Sequence, residues 1–349
     1  GASSELWASA LSSVGCFINI LSQLISATAV ISVVFPNLPL APEVLFSGVF
    51  MILYIIFGGT KGSGMVGILK TFLISLAMIV GGAMVLKMSG GVSGFLKIFS
   101  SVNEKTDVNM LSIFGRGAGT DIGACLSLIL GVITTQSYAS ACLMSAKTKN
   151  AVKGALLSAV IMPVIGIFGI MIGIFMRNAH PGIIPKTALT MFVTEYMNPL
   201  FAGVSLGALF ITVVGSGAGL ALSISSVIKN DILPAFNKKT ALSDKLVERI
   251  LIVVVISLAS ILSMGPLGDT ILNFAFMSMG LRGATVFIPL CASIWLRGKI
   301  KSGYALVSII SSPVIVLIFG LWGILPFEPL FLGVFVSIVI MAVGVIRGK

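Results

Sequence analysis

Residues 154–176 read GALLSAVIMPVIGIFGIMIGIFM, a run of 23 residues without a charged side chain. A helix of that length rises about 35 Å, slightly more than the roughly 30 Å hydrocarbon core of a bilayer. In lipid the run must be helical, because each backbone N–H and C=O needs a partner within its own segment. The stretch therefore predicts a membrane-spanning helix.

The same pattern recurs along the whole chain. Apolar residues make up 57% of it and charged residues 9%, and the mean hydropathy is +1.14. A soluble domain carries about 25% charged residues. We predict an all-α integral membrane protein, a single transmembrane domain over residues 1–349 with about ten helices. The predicted spans are about 7–35, 44–59, 65–89, 120–141, 151–177, 197–229, 246–265, 270–296, 303–325 and 327–346.

Glycine and proline mark the predicted breaks, as at Pro36-Asn37-Leu38-Pro39 and Gly58-Gly59. Small residues inside a span, such as Gly166, Gly169 and Gly173, predict close packing between helices.

The basic residues favour one orientation in the membrane. If the first span starts in the cytoplasm, that side receives 15 Lys and Arg residues and four acids, and the other side receives seven of each. The whole net charge of +11 then lies on one face. This agrees with the excess of basic residues in cytoplasmic loops. It predicts a multi-pass protein of the cell (inner or plasma) membrane with both ends of the chain in the cytoplasm.

Several other functions do not fit the sequence. The basic residues form no stripe interleaved with aromatics, which argues against nucleic acid as a partner. The four cysteines form no CxxC pair, so neither a disulfide framework nor a zinc site is expected. The GVSLG sequence at 203–207 lies inside an apolar span and not at a strand-to-helix turn. We predict no enzyme and no cofactor.

The sixth span carries polar residues on one face. Thr212, Ser216, Gly219 and Ser223 follow at spacings of three or four residues, which places them on one side of a helix. Hydroxyl and exposed carbonyl oxygens are hard ligands that suit a small cation such as Na⁺. The same pattern also fits packing between membrane helices, and spacing does not separate the two interpretations.

The fourth span contains GVITTQSY at residues 131–138, close to its middle. A helix that unwinds there would present backbone groups and the Gln136 amide to a solute, as broken helices do in transporters. We therefore take Thr134, Thr135 and Gln136 as candidate solute ligands. The alternative is a kinked helix whose Gln136 bonds to a neighbouring helix.

Arg282 is the most costly residue of the eighth span. A central arginine costs about 2.5–3.5 kcal/mol on insertion scales. It must face a cavity, pair with an acid such as Asp269, or extend to the interface. A positive charge held inside the bundle makes Arg282 a candidate ligand for an anionic solute.

Four stretches resemble the sodium:solute symporter family, which includes carriers of proline, pantothenate, sugars and sialic acid. They are Tyr54 to Gly59 with the turn into Lys70, Gln136 through Ser145-Ala146-Lys147 to Ala155, Thr212 to Asp231, and Gly283 to Gly303 with Pro289 and Trp295. Their order and spacing extend along nearly the whole chain.

The resemblance implies a LeuT-type inverted-repeat bundle. By order, the first span corresponds to core helix 3 and the eighth to core helix 10. We therefore expect core helices 1 and 2 to belong to a longer protein and to be missing from this chain. The resemblance also implies a sodium site on Thr212, Gly215 and Ser216. Solute contacts are implied around Thr135, Gln136 and the outer part of the eighth span.

Three features depart from the family's pattern. Gly67 and Lys70 stand near the places of an acid and a following Gln. The region of Ala141 and Cys142 replaces a usual Arg, and Gly215 offers no hydroxyl where many members have Ser.

The predicted function is Na⁺-coupled symport of a small organic solute by alternating access, with Na⁺ as the coupling ion and the lipid bilayer as the surroundings. Na⁺ would stabilise an outward-open state that accepts the solute. Two alternatives remain: a proton-driven or exchange carrier on the same fold, and a non-transporting membrane subunit or sensor.

Overall fold

The computed structural model describes residues 2–106, 109–110, 112–135, 138, 145, 147–235, 243–265, 271–296, 298–322 and 327–347, with the backbone alone at 2, 59–65, 271–274 and 321. Every regular element within these residues is a helix, which confirms the all-α prediction. Eight helical stretches are long and apolar enough to cross a membrane, and two shorter apolar helices accompany them. The described part of the chain is therefore close to the predicted ten spans.

Eleven longer helices are present in the described residues. They are α1 (Ala2–Val34), α2 (Leu40–Met88), α3 (Val92–Glu104), α4 (Ala118–Ile133), α5 (Thr148–Ala179), α6 (Ala188–Tyr196), α7 (Pro199–Val227), α8 (Asp244–Ser263), α9 (Ile271–Trp295), α10 (Ser302–Trp322) and α11 (Leu330–Ile346). A 3₁₀ turn, Pro185–Thr187, precedes α6. A π-helical turn, Ile228–Ile232, and a last helical turn, Leu233–Ala235, extend α7.

Helix α2 differs from the sequence prediction. Spans 44–59 and 65–89 were expected to be separated at Gly58-Gly59, yet one helix runs from Leu40 to Met88. Its two apolar stretches, Leu40–Gly58 and Val66–Met88, are each long enough to cross a membrane. Glycine lowers helix propensity by about 1 kcal/mol but does not forbid helical backbone angles, so it does not always end a helix.

The chain divides into two compact units. The first unit contains Gly1–Ser22, Ile113–Ala141 and Gly219–Lys349, and the second contains Gln23–Ser112 and Cys142–Ala218. The expectation of a single transmembrane domain over residues 1–349 stays a prediction.

The first unit packs α4, α9, α10 and α11 around a small apolar core. That core consists of Ile18, Leu130, Leu281, Ala284, Val316 and Leu330. Glycines let the helices approach closely: a Cβ at Gly333 would lie 2.5 Å from Val316 Cγ2. In the same unit the buried hydroxyls of Ser308 and Ser337 lie 2.6 Å apart and link α10 to α11.

The second unit packs α2, α3, α5 and α6 around a larger core. Its fully buried members include Val85, Ile172, Met176, Phe192 and Val193. Of the three glycines singled out in α5, Gly169 packs against Met78, with 3.0 Å between its Cβ position and Met78 Cε. Gly166 and Gly173 face open space instead. Close packing was therefore predicted correctly at one of these three positions.

Candidate solute and cation sites

Helices α4 and α9 of the first unit cross at unusually short range. A Cβ at Gly131 would overlap the Met279 side chain, and a Cβ at Gly283 would lie 3.0 Å from Leu130 Cβ. Because each helix presents a glycine where the other presents a side chain, the two backbones approach closely. This crossing brings the end of α4 next to the middle of α9.

Helix α4 ends at Ile133, inside the predicted span 120–141. The Thr134 hydroxyl donates to Leu130 O at 2.7 Å, and the Thr135 hydroxyl donates to Gly131 O at 2.5 Å. Leu130 O also accepts the backbone N–H of Thr134 at 3.1 Å, so the two hydroxyls add to the capping of the last turn of the helix. The end of α4 therefore lies in the region where the sequence predicted unwinding, and Thr135 is held there by its own helix.

Arg282 of α9 lies beside this helix end and is 1% exposed. Its Nη1 donates to Thr135 Oγ1 at 2.8 Å, while Nε and Nη2 donate to Ser278 O and Ser278 Oγ, both at 3.1 Å. The predicted residues Thr135 and Arg282 are thus in direct contact. Arg282 neither extends to an interface nor is exposed to lipid. Of the three alternatives that the sequence offered, facing a cavity and pairing with an acid remain.

Helix α1 closes the other side of this group. The Ser278 hydroxyl donates to Gly15 O at 2.5 Å, and a Cβ at Gly15 would lie 2.7 Å from Arg282 Cγ. The Cys16 thiol lies beside the guanidinium. We call Gly15, Cys16, Thr135, Ser278 and Arg282 the arginine cluster. The hydroxyls of Thr135 and Ser278 donate to backbone carbonyls, so their lone pairs are directed to Arg282.

The charge of Arg282 has no carboxylate partner among the described residues. A guanidinium has five N–H donors; three of them donate to Thr135 and Ser278, and the Cys16 thiol lies beside the group. Buried charges are normally paired, because desolvation of an isolated ion is costly. This makes the arginine cluster the candidate site for a small anionic solute. Asp269 and Gln136, named from the sequence as partner and ligand, lie outside the described residues.

Thr134 takes no part in the cluster in this structure. It is 9% exposed, and its hydroxyl bonds to Leu130 O and, at 3.4 Å, to Gly131 O of its own helix. Its predicted role as a solute ligand stays a prediction.

The second polar group lies on α7, in the second unit. The Thr212 hydroxyl donates to Ala208 O and the Ser216 hydroxyl donates to Thr212 O, both at 2.8 Å. Both residues are half-buried. Each hydroxyl uses its proton within the helix and keeps lone pairs that a cation can accept.

Gly215 shares this face and is buried against α2. A Cβ at Gly215 would lie 3.3 Å from the Tyr54 hydroxyl and 3.4 Å from Lys70 Nζ. Along a straight helix Tyr54 and Lys70 would be about 24 Å apart, so α2 must bend between them. Glycine-rich segments are common places for such bends, and five glycines occur between Gly58 and Gly67. We call Tyr54, Lys70, Thr212, Gly215 and Ser216 the lysine cluster.

Two polar groups of the lysine cluster lack partners in the described part of the chain. The Tyr54 hydroxyl is buried and has no hydrogen bond there. Lys70 forms no ion pair with a described acid. A side chain at Gly215 would therefore meet a tyrosine hydroxyl and an amine.

Sequence reasoning missed several members of both clusters. Ser278 and Gly15 carry no local signal, because a serine or a glycine inside an apolar helix most often serves packing. Tyr54 and Lys70 were noticed as part of a family pattern, but their contact with Gly215 depends on how α2 and α7 pack. No cluster of three or more His, Cys, Asp or Glu side chains that suits a metal occurs within the described residues.

Comparison with known proteins identifies a family and a solved structure that this chain resembles. The model of the sodium:solute symporter family matches residues 2–312. Among solved structures, a Na⁺-coupled sialic acid symporter in a substrate-bound, outward-open state matches with a TM-score of 0.71 and 18% identity, over 97% of this chain and 73% of that one. This likeness confirms the LeuT-type fold. A search of curated protein sequences finds no match.

Proposed function

The chain belongs to the sodium:solute symporter family, and on that premise we propose that it carries a small organic anion across the membrane together with Na⁺. Membership of this family supports Na⁺-coupled symport and does not favour the proton-driven, exchange or non-transporting alternatives. The observation that carries the anionic character of the solute is the buried guanidinium of Arg282, which has no described acid beside it.

The arginine cluster is the proposed solute site. A carboxylate would accept hydrogen bonds from the guanidinium in the paired geometry that arginine favours. Such a contact would also compensate the buried charge, which otherwise lowers the stability of the bundle. Gln136 is proposed as a further ligand, since it follows Thr135 directly in the chain.

The proposed cation site uses the hydroxyl oxygens of Thr212 and Ser216 on α7. Both oxygens are half-buried, and both have their protons directed to backbone carbonyls. Gly215 of the same helix, implied by the family resemblance as a third member of the site, is buried against Tyr54 and Lys70. Hydroxyl and carbonyl oxygens are suitable ligands for a hard monovalent ion.

Coupling follows from differential affinity. Na⁺ that binds the outward-open state more tightly shifts the population toward that state, and only this difference can drive transport. The solute then binds a state that is already populated. Reorientation of the helices releases both to the cytoplasm, where we place both ends of the chain because of the basic loops.

The test begins with identification of the solute. We propose a thermal-shift screen of small carboxylates, each with its uncharged amide as the matched compound, on the intact protein with Na⁺ or K⁺. We expect stabilisation by a carboxylate and not by its amide, and a larger effect in Na⁺. Uptake into proteoliposomes should then require Na⁺.

The variant T212A/S216A tests the ion site. Loss of two oxygen ligands should weaken Na⁺ affinity by about tenfold or more, because each contact contributes about 1 kcal/mol. The matched control is S158A/S311A, which removes two exposed helix hydroxyls elsewhere. Uptake that is unchanged when K⁺ replaces Na⁺, or normal sodium dependence in a folded T212A/S216A variant, contradicts the proposal.

A further inference from the structure

A groove between helices α9 and α11 of the first unit contains no member of either cluster. It measures about 470 Å³, and its walls come from residues 288–296 of α9 and the turn after it and from residues 338–346 of α11. We propose that this groove binds an anionic phospholipid of the cytoplasmic leaflet, with an acyl chain along the groove and the phosphate at the basic residues beyond its end. The inference goes beyond the proposed function, and neither the family match nor the solved structure assigns such a site.

The walls of the groove are apolar. Every residue that lines it is aliphatic, aromatic or sulfur-containing, and Cys291 and Ala342 are among the smallest of them. Trp295 and Ile346, at one end of the groove, are 77% and 76% exposed. In a membrane such surface faces acyl chains, which are as apolar as leucine. The groove therefore suits a hydrocarbon chain.

The length of the groove matches one leaflet. From 288 to 296 and from 338 to 346 each wall rises about 12 Å. The hydrocarbon layer of one leaflet is about 15 Å deep, half of the bilayer core. Both helices end here, at Trp295 and Ile346, on the side that we place in the cytoplasm because of the basic loops. An exposed tryptophan at this level also fits the membrane–water interface, where tryptophan is enriched.

A basic residue follows the groove on each wall. Lys299 lies three residues after Leu296 and donates its backbone N–H to Leu296 O at 3.0 Å. Arg347 directly follows Ile346. Both basic side chains are exposed. Each apolar wall is thus followed by a positive charge within three residues.

The two basic residues are held at the same end of the unit. A Cβ at Gly344 would lie 3.1 Å from Ile300 Cγ2 and 2.9 Å from Tyr304 Cβ. The turn after α9 therefore packs against the last turn of α11. This contact places Lys299, one residue before Ile300, on the same end as Arg347, three residues after Gly344.

No described acid pairs with these charges. Lys299, Lys301 and Arg347 form none of the ion pairs found among the described residues. The acid Glu5 lies on α1, whose first turn contacts the first turn of α10 through one hydrogen bond. The cytoplasmic leaflet carries anionic lipids, and basic residues beside a membrane helix attract their headgroups. A phosphate accepts hydrogen bonds from arginine and lysine, so the rim complements it in charge.

The same charges argue against a second copy of the chain in the groove. A symmetric contact between two copies uses the same surface on both, so it would place the basic rims of the two copies next to each other. Like charges at close range repel, whereas a lipid phosphate has the opposite sign. The rim therefore favours a lipid over a second copy.

The experiment measures quenching of Trp295 fluorescence by lipids with brominated acyl chains. In the full chain W7F/W322F leaves Trp295 as the remaining tryptophan. This protein is reconstituted in phosphatidylcholine vesicles that contain increasing amounts of brominated phosphatidylglycerol or of brominated phosphatidylcholine with the same chains. We expect the binding constant at Trp295 to favour phosphatidylglycerol by about tenfold or more, because two basic residues each attract an anionic lipid several-fold.

Charge variants test the rim. K299Q/R347Q should abolish the preference for phosphatidylglycerol, and K299R/R347K should retain it because the charges remain. The matched control is K245Q/R249Q, which removes one exposed lysine and one exposed arginine from α8 and should also retain the preference.

Groove variants test the acyl chain. A342F places an aromatic ring in the groove and should lower quenching by both lipids several-fold. V343F is the matched control, since Val343 is 37% exposed on the same helix but does not line the groove. It should leave quenching unchanged.

Three results overturn the proposal. Equal binding constants for the two lipids in W7F/W322F would make the groove ordinary lipid-facing surface. A phosphatidylglycerol preference that persists in K299Q/R347Q would remove the basic rim from the site. Absence of quenching by either lipid would mean that protein, such as a second copy, covers Trp295. Sodium-dependent uptake is measured separately, so each of these results leaves the proposed function standing.

Discussion

Each of the two polar clusters holds one positive charge, and the two charges differ in burial and in their partners. Arg282 is fully buried, contacts three acceptor atoms on Thr135 and Ser278, and cannot lose its proton under physiological conditions. Lys70 is half-buried, forms no ion pair with a described acid, and lies beside Gly215 of α7. The first arrangement is the proposed receptor for an anionic solute, and the second lies beside the helix on which the cation site is proposed.

The largest effect is expected for substitution of Arg282. A small effect would contradict the difference drawn between the arginine cluster and the lysine cluster. We expect R282Q to weaken solute binding by about a hundredfold or more, because loss of a buried charged partner costs about 2–5 kcal/mol. Without solute, the thermal stability of R282Q should equal or exceed that of wild type, since an uncompensated charge is removed. Solute-induced thermal shift and uptake measure the two effects. Solute binding that persists in R282Q would remove Arg282 from the site.

Packing at the α4–α9 crossing, next to the arginine cluster, can be compared with packing in the lysine cluster by one added methyl group. G131A should lower the free energy of unfolding by about 1–3 kcal/mol, because its Cβ overlaps Met279 at the crossing of α4 and α9. G215A should cost less than about 1 kcal/mol, since the ends of Tyr54 and Lys70 can move aside.

The control for that pair is G173A, where nothing lies within 4 Å of the new Cβ. It should be neutral or stabilising by up to about 1 kcal/mol, because alanine favours helix. Thermal unfolding in detergent should therefore rank G173A above G215A and G215A above G131A. If G215A were as costly as G131A, the lysine cluster would be packed as tightly as the crossing of α4 and α9.

The hydroxyl of Thr135 tests how the guanidinium is held. T135V removes the acceptor of Arg282 Nη1 and should cost about 1–2 kcal/mol of unfolding free energy, with a several-fold loss of solute affinity. T285V is the matched control. Thr285, on α9, is also buried, but its hydroxyl bonds only to Leu281 O among the described residues. Equal effects of the two substitutions would mean that Thr135 is a packing residue.

The smallest effect is expected at Tyr54. Its hydroxyl has no described partner, so Y54F should change stability in Na⁺-free buffer by less than about 0.5 kcal/mol. Na⁺ affinity should fall about three- to tenfold if that oxygen is a ligand. A large destabilisation without Na⁺ would instead reveal a permanent partner for this hydroxyl.

Local sequence singled out two members of the arginine cluster. Arg282 stood out because charge is expensive in lipid, and Thr135 stood out because polar residues lie beside a glycine in mid-span. Both signals are local and energetic, so a single sequence contains them. Their contact through Thr135 Oγ1 was not predictable, because it depends on the crossing of α4 and α9 at Gly131 and Gly283.

In the lysine cluster, local sequence and tertiary packing account for different members. Thr212 and Ser216 were recognised from helical spacing, which is set by the geometry of one helix. Lys70 lies 145 residues away from Gly215 in the chain, and its approach depends on the bend of α2 and the packing of two helices. Glycines at 58 and 59 were read as a helix end, whereas the backbone continues as a helix through them.

The sequence by itself determined that this is a helical membrane protein with about ten apolar spans, because hydrophobic length and backbone hydrogen bonding in lipid leave no other choice. It also identified Arg282 as a residue that is costly in lipid. The tertiary structure decided which partners this residue meets. Contacts between distant helices depend on where small residues allow backbones to approach, and such packing is a property of pairs of surfaces that no single stretch encodes.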